Sequence, residues 1–136
     1  MRKLLTGRMA LVLGASVGFL AGCLIGRQTA APHRTLLHVF AYTPQGGATP
    51  QDFDDFRKAT ENMVGKIPGL RAVWVGKLRE PIPAENDVIR TYGAAMEFDD
   101  VQALGAYAEH PLHKEWEKIY EKIRTRSSTT LDILGE

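Results

Sequence analysis

The hydrophobic and polar positions divide the chain into an apolar N-terminal segment and a region in which strand and helix patterns alternate. In the second region, short runs rich in β-branched and aromatic residues are bounded by glycine, proline and polar clusters, which is typical of strands. The proline-rich and polar stretch Leu78–Arg90 predicts a loop instead. The four predicted strands are Leu36–Thr43, Leu70–Lys77, Thr91–Phe98 and Thr129–Leu134.

Helical periodicity fills the gaps between these strands. Thr49 before Pro50 is a helix-start signal, and apolar residues then recur on one face until Pro68-Gly69 ends the pattern. A second helix begins after a cap at Asp99 or Asp100 and must stop near residue 110, because Pro111 cannot continue it. Proline is favoured as a first helical residue, so a third helix is expected to start there. Its inward face comprises Leu112, Trp116, Ile119, Tyr120 and Ile123.

The element order β-α-β-β-α-β, with the second helix broken, predicts an α+β, ferredoxin-like subunit with a four-stranded antiparallel sheet. Helices can cover one face of such a sheet, yet both faces of the first and third strands are apolar. We therefore expect the uncovered face to carry aromatic side chains that need a second layer. Two-fold pairing with an identical sheet supplies that layer and predicts a homodimeric α/β barrel.

The N-terminal segment is predicted to be a targeting segment rather than part of the fold. A basic start precedes an uncharged apolar run of 17 residues, Met9–Ile25. Within it, Leu20-Ala21-Gly22-Cys23 resembles the lipobox of bacterial lipoproteins, in which the cysteine becomes the lipid-bearing first residue. This interpretation divides the chain into a signal segment (1–23), a tether (24–33) and a folded domain (34–136), with Cys23 as the lipid attachment site.

An uncleaved membrane anchor is the alternative. Gly14, Gly18, Gly22 and Gly26 recur every four residues, which is the small-residue pattern of packed transmembrane helices. A run of 17 residues is at the short end of what spans a bilayer. Plain secretion is a third possibility. All three interpretations predict export, and the first two predict attachment to a membrane.

Composition excludes several other classes of protein. The hydrophobic fraction of 44% and the charged fraction of 24% are those of an ordinary globular domain. The formal charge of +1 falls to −2 without the three basic residues of segment 1–22, so a basic surface for nucleic acid is not expected. A single cysteine excludes an intrachain disulfide. No cofactor-binding motif is present, and no cofactor is expected.

The candidate chemistry lies where the second helix gives way to the third, in Ala106–His113. Tyr107 precedes His110 by one helical turn, and His113 falls in the first turn of the third helix. A neutral imidazole at His113 would be a general base, with Tyr107 as the partnering acid. His110, beside the proline, is expected to form the joint between the helices or to line a pocket.

Structural roles for the same side chains are equally consistent with the sequence. Tyr107 continues an apolar stripe, so it is also a candidate core residue, and His113 is also a candidate cap. His38 interrupts an aromatic strand face and is expected to be a hydrogen-bonded histidine, in the core or lining a pocket. A zinc site formed by His38, His110 and His113 lacks a supporting Glu or Cys motif, and we expect no metal.

These features together resemble the stress-responsive dimeric α/β-barrel (Dabb) family. The resemblance covers residues 34–136 and rests on Leu37-His38-Val39, on Ile67-Pro68-Gly69-Leu70, and above all on Tyr107 with His110-Pro111-Leu112-His113. It implies a ferredoxin-like subunit, obligate face-to-face dimers and a small apolar cavity in each subunit. Most members have no assigned reaction.

The site also resembles that of one member with an assigned reaction, a plant polyketide cyclase called olivetolic acid cyclase. By that resemblance His113 would abstract a proton, Tyr107 would hold or polarise a carbonyl, and His38 would line the pocket and orient the ligand. The plant substrate is not implied, because the residues that select it form no recognisable motif here. Three hypotheses follow: binding of a small apolar ligand, acid–base catalysis of the cyclase or isomerase kind, and a structural or interaction dimer.

Overall fold

The computed structural model describes residues 35–135, which form one sheet with three helices packed on one of its faces. The sheet is antiparallel with the strand order β2-β3-β1-β4, so that β2 and β4 are its edges. In chain order the elements are β1 (Leu36–Pro44), α1 (Pro50–Glu61), β2 (Leu70–Pro83), β3 (Ile89–Phe98), α2 (Val101–Glu109), α3 (Pro111–Ile123) and β4 (Arg124–Leu134).

This arrangement confirms the predicted ferredoxin-like fold, including the break between α2 and α3. The signal segment or anchor, the tether and Cys23 all lie outside the described residues. Between residues 35 and 135, no helix combines the length and apolarity needed to cross a membrane.

Local sequence accounts for where each helix begins. Thr49 and Asp52 form a capping box at α1: the Asp52 N–H donates to the Thr49 hydroxyl, and the Thr49 N–H donates to the Asp52 carboxylate. Asp100 caps α2 by accepting from the Ala103 N–H at 2.8 Å. These contacts satisfy N–H groups that have no partner inside the helix.

The first helix is shorter than predicted. It ends at Glu61 rather than at Pro68, and a series of turns follows in which Gly65 has a φ of 76°. Met63 and Ile67 are nevertheless buried, because backbone hydrogen bonds from Met63 to Thr60 and from Ile67 to Met63 keep a helix-like spacing. The apolar periodicity therefore continued past the true end of the helix.

The predicted loop Leu78–Arg90 is mostly a β-hairpin. Ile82 pairs with Arg90 and Pro83 with Ile89, and the chain reverses at Asn86 and Asp87, which both have positive φ angles. Proline is tolerated here because β2 is an edge strand and needs hydrogen-bond donors on one side only. The last strand is likewise longer than predicted, because β4 begins at Arg124, directly after α3.

The core lies between the sheet and the helices and is unusually aromatic. Within residues 35–135, fourteen buried apolar residues form one cluster, with Tyr42, Phe56 and Phe98 fully enclosed. Phe56 stacks on Tyr120 at 5.3 Å between ring centroids and lies 5.4 Å from the ring of Trp116. The Trp116 indole N–H donates to the Thr60 hydroxyl at 2.7 Å, which ties α3 to α1.

The opposite face of the sheet, here called the open face, has no covering layer in the described chain. One cross-strand row on it comprises Trp74, Ala95, Val39 and Leu131. Trp74 is 55% exposed and Leu131 47% exposed. The neighbouring row includes Leu37 and Ile133 together with the charged Glu97.

The aromatic side chains are distributed differently from the prediction. Phe40, Tyr42, Tyr92 and Phe98 lie beneath the helices, while the open face carries aliphatic side chains and Trp74. The alternation of side chains along the strands predicts two apolar faces, but it does not predict which face the helices will cover. The helices cover the face with the aromatic side chains, because these larger rings bury more apolar area in the layer between the sheet and the helices.

Candidate functional site

Three of the predicted site residues come together at one end of the helical layer. His38 projects from β1, Tyr107 from α2 and His113 from the first turn of α3. The ring centroids of Tyr107 and His113 are 4.1 Å apart, and those of His38 and Tyr107 are 6.5 Å apart. The fold thus brings side chains from positions 38, 107 and 113 into one group, here called the His–Tyr–His group.

His110 occupies a different place. It ends α2 and caps α3, where its Nδ1 accepts a hydrogen bond from the Leu112 N–H at 3.2 Å. Its own N–H donates to the Tyr107 carbonyl at 3.0 Å. These contacts set the angle between α2 and α3 and so determine how Tyr107 and His113 face each other. His110 is not among the residues that line the clefts beside the group.

Each of the two histidines is anchored through its Nδ1 atom. His38 Nδ1 donates to the Asp132 carboxylate at 2.7 Å, and His113 Nδ1 donates to the Ala108 carbonyl at 3.1 Å. Both acceptors lack a proton, so Nδ1 must carry one in each ring. In the neutral ring the lone pair is therefore on Nε2. For His113, the nearest carboxylate to that atom is Glu117 at 4.0 Å, beyond hydrogen-bond distance.

Tyr107 is a proton donor rather than a phenolate at neutral pH. Only 3% of the residue is exposed, and burial raises the pKa of its phenol well above the usual value. The negative charge of Glu117 and the neighbouring Tyr120 raise that pKa further. Tyr107 therefore offers a hydroxyl donor on a ring that lies beside the His113 imidazole, and acid–base chemistry at a carbonyl group uses a donor and an acceptor of these kinds.

The His–Tyr–His group separates two clefts of different character. The first, here called the α2 cleft, has a volume of about 400 Å³ and is otherwise lined by apolar or small residues. Neither cleft is fully enclosed within the described chain. The residues that complete the lining of the α2 cleft are Val101, Leu104, Gly105 and Ala108.

The second cleft, here called the α3 cleft, has a volume of about 120 Å³ and lies between α3 and strands β1 and β4. Aromatic rings form part of its wall, and polar side chains form the rest. Besides the His–Tyr–His group, its lining comprises Phe40, Trp116, Glu117, Tyr120, Glu121, Arg124, Ser128 and Thr130.

Sequence reasoning missed several residues of this site. Asp132 lies 94 positions from His38, and only the β1–β4 register places the two opposite each other. Tyr120 was predicted to be a core residue and Arg124 was given no role, although both line the α3 cleft. No local motif marks them, because the cleft is formed by elements that are distant in sequence.

Only two of the three histidines considered as zinc ligands, His38 and His113, lie in the His–Tyr–His group. Within residues 35–135, no group of three or more His, Cys, Asp or Glu side chains is arranged to hold a metal ion. His38 and His113 use their Nδ1 atoms in hydrogen bonds and keep Nε2 open, whereas His110 accepts from the backbone through Nδ1.

Comparison with known proteins decides the family. The sequence profile of the stress-responsive A/B barrel domain, Dabb, matches residues 36–133. The chain belongs to the Dabb family. The match spans all four strands and three helices of the Dabb domain and includes every residue of the His–Tyr–His group. No curated protein sequence matches the chain significantly.

Solved structures share the fold at low sequence identity. A dimeric ferredoxin-like protein of unknown function from Jannaschia sp. CCS1 has a TM-score of 0.61 and 22% identity, with 73% of this chain and 97% of that chain covered. A hydroxynitrile lyase from Passiflora edulis has a TM-score of 0.63 and 14% identity, with coverages of 77% and 96%. A Dabb family protein from Mesorhizobium loti has a TM-score of 0.57 and 16% identity, with coverages of 74% and 95%.

Proposed function

We propose that this Dabb protein is an exported, membrane-anchored homodimer that binds a small carbonyl-containing molecule at the His–Tyr–His group. The observation that carries the proposal is the convergence of two anchored imidazoles and a protonated phenol on an apolar cleft. Binding sites for small molecules commonly combine an apolar wall with a few oriented polar groups. In this arrangement the α2 cleft holds the apolar part of the ligand, and Tyr107 donates to its carbonyl oxygen.

Dimerisation through the open face completes the proposal. The exposed row around Trp74 and Leu131 presents more apolar surface than a stable single layer leaves in water. Beside this row the small residues Gly76, Gly93 and Ala41 leave a depression of about 410 Å³. The Jannaschia protein with the same fold is described as dimeric. A second copy of the sheet is the partner that fits an apolar and self-complementary surface.

Acid–base catalysis is the second candidate function, and the orientation of His113 favours it. Hydrogen bonding through Nδ1 leaves the Nε2 lone pair available as a base, and the Tyr107 hydroxyl stabilises the enolate oxygen that proton removal creates. Proton abstraction next to a carbonyl is the step that a cyclase or isomerase requires, consistent with the likeness to the plant polyketide cyclase. His38, held by Asp132, would orient the ligand.

Acetophenone tests both functions, because it combines an aromatic body with a carbonyl group and a methyl group carrying acidic protons. We expect saturable shifts of the His38 and His113 imidazole signals on titration in NMR experiments. Tyr107→Phe should weaken binding about five- to tenfold, the loss of one hydrogen bond worth about 1 kcal/mol, while the melting temperature changes little. Equal affinity of the variant, or the absence of saturable shifts, would contradict the proposed binding role.

Deuterium exchange separates catalysis from binding. If His113 is a base, the protein in D₂O will incorporate deuterium into the acetophenone methyl group faster than buffer alone. His113→Gln should abolish this excess rate, because the amide cannot accept the proton, and Lys114→Gln on the next, exposed position is the control. An unchanged rate in His113→Gln would show that His113 is not the base, and no excess rate in the wild type would leave binding without catalysis.

The proposed export and membrane anchoring depend on residues 1–33 and can be tested separately from ligand binding. The lipobox-like sequence at Cys23 predicts a mature protein that begins at this cysteine and carries acyl chains. Intact mass spectrometry of the membrane-extracted protein distinguishes this product from an uncleaved anchor, which would retain segment 1–22. A soluble product that lacks both would show secretion without an anchor.

A further inference from the structure

The α3 cleft contains buried hydrogen-bond donors that have no partner. The Tyr120 hydroxyl and the Arg124 Nε–H are both buried, and neither forms a hydrogen bond of good geometry within the described chain, although the Ser128 side chain lies near the Tyr120 hydroxyl. Tyr120 is only 7% exposed, so its hydroxyl cannot be hydrated as a surface tyrosine is. An unpaired buried donor costs free energy, which is recovered when an acceptor binds.

The two donors are held in fixed positions. The Arg124 guanidinium lies over the Tyr120 ring at 4.6 Å from the centroid, and its NH1 group donates to the carbonyls of Thr125 and Arg126. Packing fixes Tyr120 as well, since its ring contacts those of Phe56 and Trp116. Preorganised donors of this kind bind an acceptor without an ordering cost.

The charges around the cleft permit an anion. Burial raises the pKa of Tyr120 to about 12, although the Arg124 charge and the Ser128 side chain partly oppose this, so the phenol is a donor at neutral pH. Glu117 and Glu121 also line the cleft, but both are exposed, and water screens their repulsion. The buried Nε–H of Arg124 is screened much less than these exposed carboxylates.

We propose that the α3 cleft is a carboxylate-binding subsite, in which a small aromatic acid places its carboxylate on Tyr120 and Arg124 and its ring against the aromatic part of the cleft wall. A carboxylate accepts from both donors at once, and the charge-assisted bond from arginine is stronger than a neutral one. Phe40 and Trp116 supply the apolar part of that wall. This inference rests on the proposed function, because the His–Tyr–His group forms the shared wall of both clefts.

Benzoate and benzamide provide matched probes, since they have the same shape and differ in charge. By titration calorimetry we expect benzoate to bind at least tenfold more tightly than benzamide. Arg124→Gln should remove this preference, and Tyr120→Phe should weaken benzoate binding about fivefold or more. Arg126→Gln removes the same charge from an exposed position that does not line the α3 cleft, so it should leave the preference unchanged.

The outcomes distinguish the subsite from the binding function on which it rests. If acetophenone binds but benzoate binds no better than benzamide, the carboxylate subsite is wrong and the proposed function stands. If Arg124→Gln does not fold, Arg124→Lys serves instead, because it keeps the charge but lacks the Nε–H donor, and it should lose most of the preference. If none of the three probes binds saturably, both proposals are overturned.

Discussion

Replacing Trp74 by glutamate is expected to convert the proposed homodimer into a monomer. Trp74 lies on the open face with 55% of its surface exposed in the single chain, in the row with Val39 and Leu131. In a face-to-face dimer this side chain becomes buried, and buried tryptophans commonly dominate the energy of an interface. A glutamate at this position loses that apolar contact and also places a carboxylate in a desolvated layer.

The expected loss is at least about 3 kcal/mol of association free energy, which weakens the dimer more than a hundredfold. Sedimentation velocity over a concentration series measures this directly. Val64→Glu is the matched control, because Val64 is an exposed apolar residue in the turn after α1, away from the sheet. If the wild type is itself monomeric, or if Trp74→Glu remains dimeric, the open face is not the interface.

Truncating Phe56 to alanine is expected to produce the largest loss of folding stability, about 3–5 kcal/mol. Phe56 is fully buried and lies against the rings of Tyr42, Trp116 and Tyr120. Its removal leaves a cavity at the point where α1, α3 and the sheet meet, and rigid aromatic neighbours cannot easily collapse into it. Because Tyr120 and Trp116 also line the α3 cleft, ligand binding there should weaken as well.

Urea unfolding followed by circular dichroism gives the free energy of unfolding for this variant. Phe53→Ala is the comparison, because Phe53 is also on α1 and stacks on Tyr92 at 4.7 Å but is only partly buried. Its cost should be clearly smaller, since water already reaches part of its ring. Similar losses for the two variants would show that the aromatic cluster does not centre on Phe56.

Helix boundaries could be predicted where the signal is local. The helix start at Thr49-Pro50 and the break at Pro111 both depend on residues within four positions of each other, and both appear as expected. The end of α1 was predicted too late, because buried residues at Met63 and Ile67 keep the apolar period after the helix has ended. The apolar periodicity indicates which residues are buried, and buried residues continue into the turns that follow the helix.

The hairpin at Leu78–Arg90 shows the opposite limitation. Its prolines and acidic residues favour a loop by composition, but the strand pairing Ile82–Arg90 is stabilised by a partner across the turn. An edge position removes the penalty for proline, and edge position is a property of the assembled sheet. No short segment of the sequence shows whether a strand will lie at the edge of the assembled sheet.

The sequence by itself determined the order of the elements, the break between α2 and α3, and the placement of Tyr107 and His113 on either side of that break. These depend on local backbone preferences and on apolar periodicity, which act over a few residues. Only the tertiary structure decided which sheet face is covered, that Asp132 anchors His38, and that Tyr120 and Arg124 present unpaired donors in one cleft. Those contacts join positions far apart in the chain, and they exist because strand register and helix packing are set by the fold as a whole.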